Sequence, residues 1–455
     1  MTSNDLIVII PGIAGSTLTR GGTDLWALDK PAMLLTALAT LGANIRKLEL
    51  PNGIGDQAPD DGVHATSLMS KLHFIPGLWP PMHGYDKLVK RLRATHTDIP
   101  WEIRHLNPVL FPYDWRLSNR YTGRLLKVQA ESALSRWRDS APQNSDAKIV
   151  FVCHSMGGLI ARWYISKEGG APLTRKMITL GTPYRGALKA LSVLADGPIP
   201  KLRLFGERLH PAVLSFPSIH QLLPSYACID HGGGDLEYLA EQTDSALSSA
   251  ARSDAALFYR ELEEAESLDA GTAARRHAIV GTRQSTSASA SMSNGRYVLS
   301  NHLARRDLGG DGTVSAASGP KGIPLDDNSI RRVADQHGHL QCNNAALDEV
   351  ESVLTSDSIV VKATAAQDLS VTVPEILSVG EAVTATIESF DGRRSVRIAL
   401  RDERGSLIAD ELKVLRSSTI EYRTSPLGPG GYSLAVRDAK DGTSGVNSSF
   451  LVWPD

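Results

Sequence analysis

Cys153-His154-Ser155-Met156-Gly157-Gly158 places a serine before two glycines, and it is the segment of this sequence best suited to chemistry. A serine hydroxyl is a weak nucleophile near neutral pH, so it needs a base, and the base needs a carboxylate to hold its tautomer. Both residue types follow downstream. Asp311 stands among glycines in Gly309-Gly310-Asp311-Gly312-Thr313-Val314, and two histidines alternate in Asp335-Gln336-His337-Gly338-His339. Ser155, Asp311 and either His337 or His339 would make a nucleophile, an orienting acid and a general base for acyl transfer. The developing oxyanion would need two backbone N–H donors. Met156, directly after the serine, offers one, and Ile13 in Pro11-Gly12-Ile13-Ala14-Gly15-Ser16 offers the second.

The elements around the serine fit this chemistry. Ala147-Lys148-Ile149-Val150-Phe151-Val152 reads as a buried strand, and Leu159 to Ile165 carries apolar residues at helical spacing. A serine on a sharp turn between strand and helix is the nucleophile elbow of α/β-hydrolases, on which acid and then histidine follow in chain order. Cys153 replaces the usual first glycine of that turn and is small enough to keep it. Asp5 to Ile10 is a first strand leading into the Ile13 loop, and Ile330 to Val333 is a late strand leading to the histidines.

Plainer readings compete. A Ser-x-Gly-Gly turn arises by chance, and aspartates among glycines are common turn residues. A calcium loop would need a spaced series of oxygen ligands that is missing here. Asp335, His337 and His339 alternate and could be read as metal ligands, but no further His or Cys cluster accompanies them. The Gly12 loop lacks the spacing of a dinucleotide or phosphate site. His154 adjoins Ser155, but neighbouring side chains at a strand end point to opposite faces, so it is expected to support the turn from behind.

Alternating strands and helices through residue 190 predict an α/β fold with a mostly parallel sheet and ligands at the strand carboxyl ends. Helices are expected at 84–94 and 120–138, the latter facing inward through Leu125, Val128, Ala133 and Trp137; strands are expected at Trp101–Arg104 and Lys176–Leu180. Two stretches interrupt the rhythm and are read as lid or cap insertions, at about 20–82 and 187–275. The first carries an apolar helical segment at 31–42 and the bulky residues Trp26, Phe74, Trp79 and Met82. Trp26, Trp79 and Met82 are candidates for substrate or lid contact, a greasy entry for acyl chains at a membrane surface being one reading and ordinary packing of an inserted helix the other. The second is punctuated by Pro198, Pro200, Pro211, Pro217 and Pro224. The Ser/Ala-rich segment 284–295 reads as a mobile loop.

From about Thr364 the pattern changes to short alternating runs at Val383–Ile387, Val396–Leu400, Thr419–Tyr422 and Tyr432–Val436. These predict a small β-sandwich of immunoglobulin or fibronectin type over 364–455, an accessory domain beside a catalytic domain over 1–360. The 455 residues are 42% hydrophobic with a formal net charge of −2, which gives no electrostatic reason to expect nucleic-acid binding. No secretory signal or membrane-length apolar run is legible, and three cysteines suggest reduced thiols, so a cytoplasmic protein is expected, with peripheral membrane contact as an option.

Taken together, the motifs resemble the lecithin–cholesterol acyltransferase and lysosomal phospholipase family of α/β-hydrolases. The resemblance rests on Ile10-Pro11-Gly12-Ile13-Ala14-Gly15-Ser16-Thr17-Leu18, Phe111-Pro112-Tyr113-Asp114-Trp115-Arg116 and His154-Ser155-Met156-Gly157-Gly158. It continues through Leu180-Gly181-Thr182-Pro183-Tyr184-Arg185-Gly186 and Gly310-Asp311-Gly312-Thr313-Val314, and covers roughly residues 5 to 355. It implies Ser155, Asp311 and His337 as the catalytic set. His337 is preferred to His339 because the family histidine is followed three positions on by a large apolar residue, here Leu340. It also implies Ile13 and Met156 as oxyanion donors. The expected activity is a serine esterase or lipase, phospholipase-like, without cofactor or metal. An O-acyltransferase and an inactive hydrolase-fold scaffold are the alternatives. The vertebrate relatives carry signal peptides and disulfides, and this chain departs from them there.

Overall fold

Apolar, β-branched runs separated by helices assemble into a six-stranded parallel sheet. Its strands are β1 (Leu6–Ile10), β2 (Val109–Leu110), β3 (Ile149–His154), β4 (Thr174–Leu180), β5 (Arg276–Gly281) and β6 (Ile330–Val333). They stand in the order β6-β5-β4-β3-β1-β2, each neighbouring pair parallel. The computed structural model describes residues 4–27, 47–70, 73–75, 79–95, 101–197, 210–320, 330–355, 369–390, 394–415, 418–440 and 445–453, apart from positions 233, 244, 246, 270 and 272–274. The apolar segment expected to be helical at 31–42 lies outside the described residues, as do Pro198 and Pro200.

A parallel sheet must be covered on both faces, and the period-two pleat divides its side chains between two cores. Leu6, Val8, Ile10, Ile149, Phe151 and Cys153 enter one core. Ile7, Ile9, Val150 and Val152 enter the other. The longer helices among the described residues are α1 (Asp86–Thr95), α2 (Asn119–Ser140), α3 (Gly157–Lys167), α4 (Leu188–Asp196), α5 (Ser249–Leu268) and α6 (Asn344–Thr355). α2 to α5 feed the first core, and α1 and α6 feed the second. α2 starts where the Ser118 hydroxyl accepts the Tyr121 amide, a normal N-cap. Among the described residues no helix is long and apolar enough to cross a membrane.

Three sequence expectations are corrected. Trp101–Arg104 is no strand: Trp101 is 78% exposed, a turn and a short 3₁₀ segment follow, and the strand beside β1 comes later at Val109–Leu110. In α2, Ala133 and Trp137 are buried and Leu125 packs partly buried against the core, as expected, but Val128 is 67% exposed; Leu126, Ala130 and Leu134 complete the inward face at helical spacing. Residues 284–295 are no open loop. Ser289–Ser293 pairs antiparallel with Arg296–Ser300, and the turn Asn294-Gly295 has both φ values positive, at 50° and 74°. Asn-Gly is the preferred pair for such a tight hairpin.

Beyond α6 the chain is β-rich. β7 (Leu369–Thr372), β9 (Ala382–Ser389) and β12 (Thr419–Pro426) form one sheet, while β8 (Ile376–Ser378), β10 (Ser395–Asp402), β11 (Leu407–Val414), β13 (Gly430–Asp438) and β14 (Gly445–Trp453) form another. Both sheets contribute to one apolar cluster, with Val383, Ala385 and Ile387 from the first and Ile398, Leu434, Val436 and Phe450 from the second.

The helix that follows the serine turn, α3, is tied to its surroundings by buried charge. Glu266 on α5 receives Arg162 of α3 at 2.8 Å and Arg276 of β5 at 2.8 Å. Burial alone would raise the Glu266 carboxyl, but the two guanidinium groups prevail and hold it at about 2. Its contribution is therefore present above the ordinary carboxylate range and lost as pH falls through about 2. Glu266→Gln strands two buried cations and is expected to lower unfolding free energy at pH 7 by about 3 kcal/mol. In urea titrations at a series of pH values, the deficit should shrink as the solution is acidified below the ordinary carboxylate range.

Candidate active site

β3 ends at His154 and α3 begins at Gly157, leaving Ser155 and Met156 to turn the chain. The turn forces Ser155 to a φ of 51°, in the left-handed region that a side chain seldom occupies. Its backbone is pinned on both sides: Ser155 N donates to Leu180 O at 2.9 Å, and Thr182 Oγ1 donates to Ser155 O at 2.9 Å. Close approach explains two of the glycines. A Cβ at Gly158 would sit 2.2 Å from Thr182 Oγ1, and one at Gly12 would sit 2.9 Å from Ser155 Cβ. Cys153 is fully buried and its thiol is pushed up by that burial, so it acts as a small neutral filler.

The structure brings Ser155, His337 and Asp311 into one line. His337 Nε2 lies 2.8 Å from Ser155 Oγ, and His337 Nδ1 lies 2.8 Å from Asp311 Oδ2. A carboxylate only accepts, so Nδ1 carries the proton and the Nε2 lone pair faces the hydroxyl, the tautomer a general base needs. The other Asp311 oxygen accepts the amides of Thr313 at 3.0 Å and Val314 at 2.7 Å, which fixes the carboxylate plane. The Asp311 carbonyl also accepts the His337 amide at 2.8 Å. Ser155 and His337 are 0% exposed and Asp311 1%.

His339 is not part of this line. Its ring packs on His83 at 4.3 Å, and its Nε2 faces the Ser449 hydroxyl at 3.3 Å. Asp335 is buried and accepts from Asn447 N, Gln336 N and Asn343 Nδ2; burial nonetheless pushes it up to about 6. The three alternating residues thus turn to different partners instead of converging as ligands. Among the described residues no group of three or more His, Cys, Asp or Glu is arranged to hold a metal ion.

Behind the line runs a second polar chain. Gly12 N donates to Tyr85 Oη at 2.8 Å, Tyr85 Oη lies 2.9 Å from His154 Nδ1, and His154 Nε2 lies 3.1 Å from the His337 carbonyl. The carbonyl can only accept, so Nε2 carries the proton and the tyrosine hydroxyl donates to Nδ1. His154 therefore sits where a support of the turn belongs. Tyr85 has no legible signal, because nothing in the sequence links it to position 154. The Ile13 loop is propped from the far side as well: Tyr113 Oη donates to Pro11 O at 2.9 Å, and Trp115 Nε1 donates to Ser16 O at 3.3 Å. Arg116 of the same motif is fully buried and pairs with Asp114 at 2.6 Å and Asp61 at 2.9 Å.

Ile13 and Met156 are buried beside the turn, and among the described residues no backbone carbonyl accepts from either amide. Trp26 is a core residue, 1% exposed, its Nε1 donating to Ala14 O at 3.1 Å and its ring edge-on to Trp115. Its indole is committed to packing under the Ile13 loop. Trp79 and Met82 lie on a short strand, Trp79–Met82, and their side chains lie outside the described residues, as does that of Phe74.

A parallel sheet with helices on both faces and a serine at a strand-to-helix turn is the α/β-hydrolase architecture. More narrowly, an α/β-hydrolase domain of the lecithin:cholesterol acyltransferase family is matched over residues 103–261. Among solved structures, a chain of the Tle4–Tli4 complex aligns with a TM-score of 0.50 at 13% identity, covering 78% of this chain and 98% of that one. The Bacillus licheniformis lipase BlEst2 in its propeptide form aligns with a TM-score of 0.36 at 10% identity, covering 98% of this chain and 93% of that one. At these identities the first likeness speaks to fold alone. No match was found among curated proteins.

Tyr85→Phe would leave the Gly12 N–H and His154 Nδ1 without their shared partner in a dry interior. We expect it to cost about 2 kcal/mol of stability, read as a lower denaturant midpoint at unchanged slope.

Proposed function

We propose that this chain is a serine esterase that hydrolyses acyl ester bonds of lipids. Ser155 Oγ attacks the acyl carbonyl while its proton passes to His337 Nε2, and Asp311 holds the imidazolium that forms. The carbonyl oxygen becomes an oxyanion held by the amides of Ile13 and Met156. As the tetrahedral intermediate collapses, the ester C–O bond breaks and the leaving alkoxide takes the proton from His337. Water then attacks the acyl-enzyme with His337 as base, releasing the carboxylic acid and restoring the serine. The observation that carries this reading is the pair of 2.8 Å contacts joining Ser155, His337 and Asp311.

In this reading the catalytic domain spans residues 1–360, with segments at about 20–82 and 187–275 serving as lid or cap, and residues 364–455 form an accessory β-sandwich. Ser155 is 0% exposed, so an ester reaches its hydroxyl only after the residues around it move, which supports a lid. A lipid substrate would bring the chain to a membrane surface as a peripheral protein. Transfer of the acyl group to an alcohol is the second reading, favoured by the matched family's description as an acyltransferase. Product analysis with and without added alcohol acceptor separates the two.

The test is a fluorophosphonate probe together with short- and long-chain p-nitrophenyl esters. The wild-type chain should label and turn over ester, with Ser155→Ala taking no label and both Ser155→Ala and His337→Ala losing at least about a thousandfold in rate. Labelling that persists in Ser155→Ala would remove Ser155 from the role.

A further inference from the structure

The acid and base of the proposed triad sit on two separate loops, and the C-terminal β-region bonds to the base loop directly and to the acid loop through Gln284, which pairs with it. Gln284 is buried, and its main chain pairs with the acid loop, donating N–H to Gly310 O at 3.0 Å. Its side chain turns the other way, to β7: Nε2 donates to Leu369 O at 3.4 Å and Oε1 accepts Val371 N at 3.2 Å. Gln336 directly precedes His337. Its Nε2 donates to Val371 O at 2.8 Å, and its Oε1 accepts from the Ser448 hydroxyl of β14 at 3.1 Å. The Asn447 amide of β14 adds a bond to Asp335 Oδ1 at 3.0 Å.

Two glutamines thus grip the same residue. Val371 gives its N–H to the side chain of Gln284, which is paired with the acid loop, and its C=O to the side chain of Gln336 on the base loop. Among the described residues β7 is the edge of its sheet, and the glutamine amides take the place of a pairing strand at these groups. The contact is directional, unlike apolar packing, because each amide presents an NH2 group that donates and a C=O that accepts at fixed separation.

We propose that the edge of the C-terminal β-region is a clamp that sets the distance between Asp311 and His337, with Gln284 and Gln336 as its positioning residues. The inference rests on the esterase reading above and gives the C-terminal region a part in the reaction. A misplacement of about 1 Å in a reacting group can cost on the order of a hundredfold in rate, so a clamp of this kind is worth having even if it adds little stability.

The experiment uses the full chain carrying Gln284→Ala, Gln336→Ala or both, with kcat and KM on a soluble p-nitrophenyl ester and thermal unfolding of each. Ile398→Val, in the C-terminal core away from both loops, is the control for plain destabilisation. We expect each single variant to lose about tenfold in kcat with KM within about twofold. The double variant should lose less than the product of the singles, since either change releases the same strand. Ile398→Val should lower the melting temperature and leave kcat alone. Folded glutamine variants with wild-type kcat would overturn the clamp, as would a kcat loss matched by Ile398→Val at equal melting temperature. If Gln336→Ala does not fold, Ser448→Ala removes only one hydroxyl from the grip; a drop in kcat at constant KM supports the clamp, and an unchanged kcat overturns it. A wild-type chain that takes no fluorophosphonate label overturns the esterase reading itself, a result that the glutamine variants cannot imitate.

Discussion

One imidazole has to satisfy two partners at once. His337 reaches Ser155 through one nitrogen and Asp311 through the other, both at 2.8 Å. Its three groups come from loops after β3, β5 and β6, more than 150 residues apart along the chain at the extremes, so no local propensity can bring them together. The parallel sheet does this by ending its strands along one rim. Adjacent β1 and β3 set the Gly12 loop against Ser155, and β5 and β6 deliver the acid and base loops beside them. The strained turn at Ser155, the bare α-carbons at Gly12 and Gly158 and the buried Glu266 cluster behind α3 all serve to hold that convergence.

Much of this was legible in the sequence because the relevant signals are local. A buried strand, a serine turn with two glycines and a largely apolar helix are each set by neighbouring residues, and β1, β3, β4, β6 and α3 lie close to where the patterns put them. Of the two histidines, His337 is the one within reach of Ser155. What was not legible depends on partners far away in sequence. Tyr85 matters through contacts with Gly12 and His154, and Gln284 and Gln336 through a strand near residue 370. The hairpin at 289–300 was hidden by its serines and alanines, although Asn294-Gly295 announced its turn. Val128 and Trp101 failed for another reason: apolar character alone does not say which face a residue takes.

The C-terminal region looks in sequence like an appendage, and its own core is indeed separate. Yet Ile376 enters the main core, Lys189 pairs with Glu375 at 3.0 Å, and the Arg283 guanidinium lies 5.1 Å from the Phe390 ring. The Arg283 contact lies next to Gln284, beside the loop that carries Asp311, whereas Lys189 ties the region to α4. An edge strand is ordinarily a hazard for a β-rich unit, inviting pairing with other chains. Here its open groups are met by side chains from the α/β part, so the same contact protects the edge and joins the two parts.

The hydrogen-bonded run from Gly12 through Tyr85 and His154 to the His337 carbonyl has a consequence for anyone reshaping this protein. Every member already spends its donors and acceptors on the next, so the rim behaves as one braced truss and not as interchangeable loops. Transplanting the serine turn alone into another scaffold would import a histidine with both ring nitrogens in want of partners.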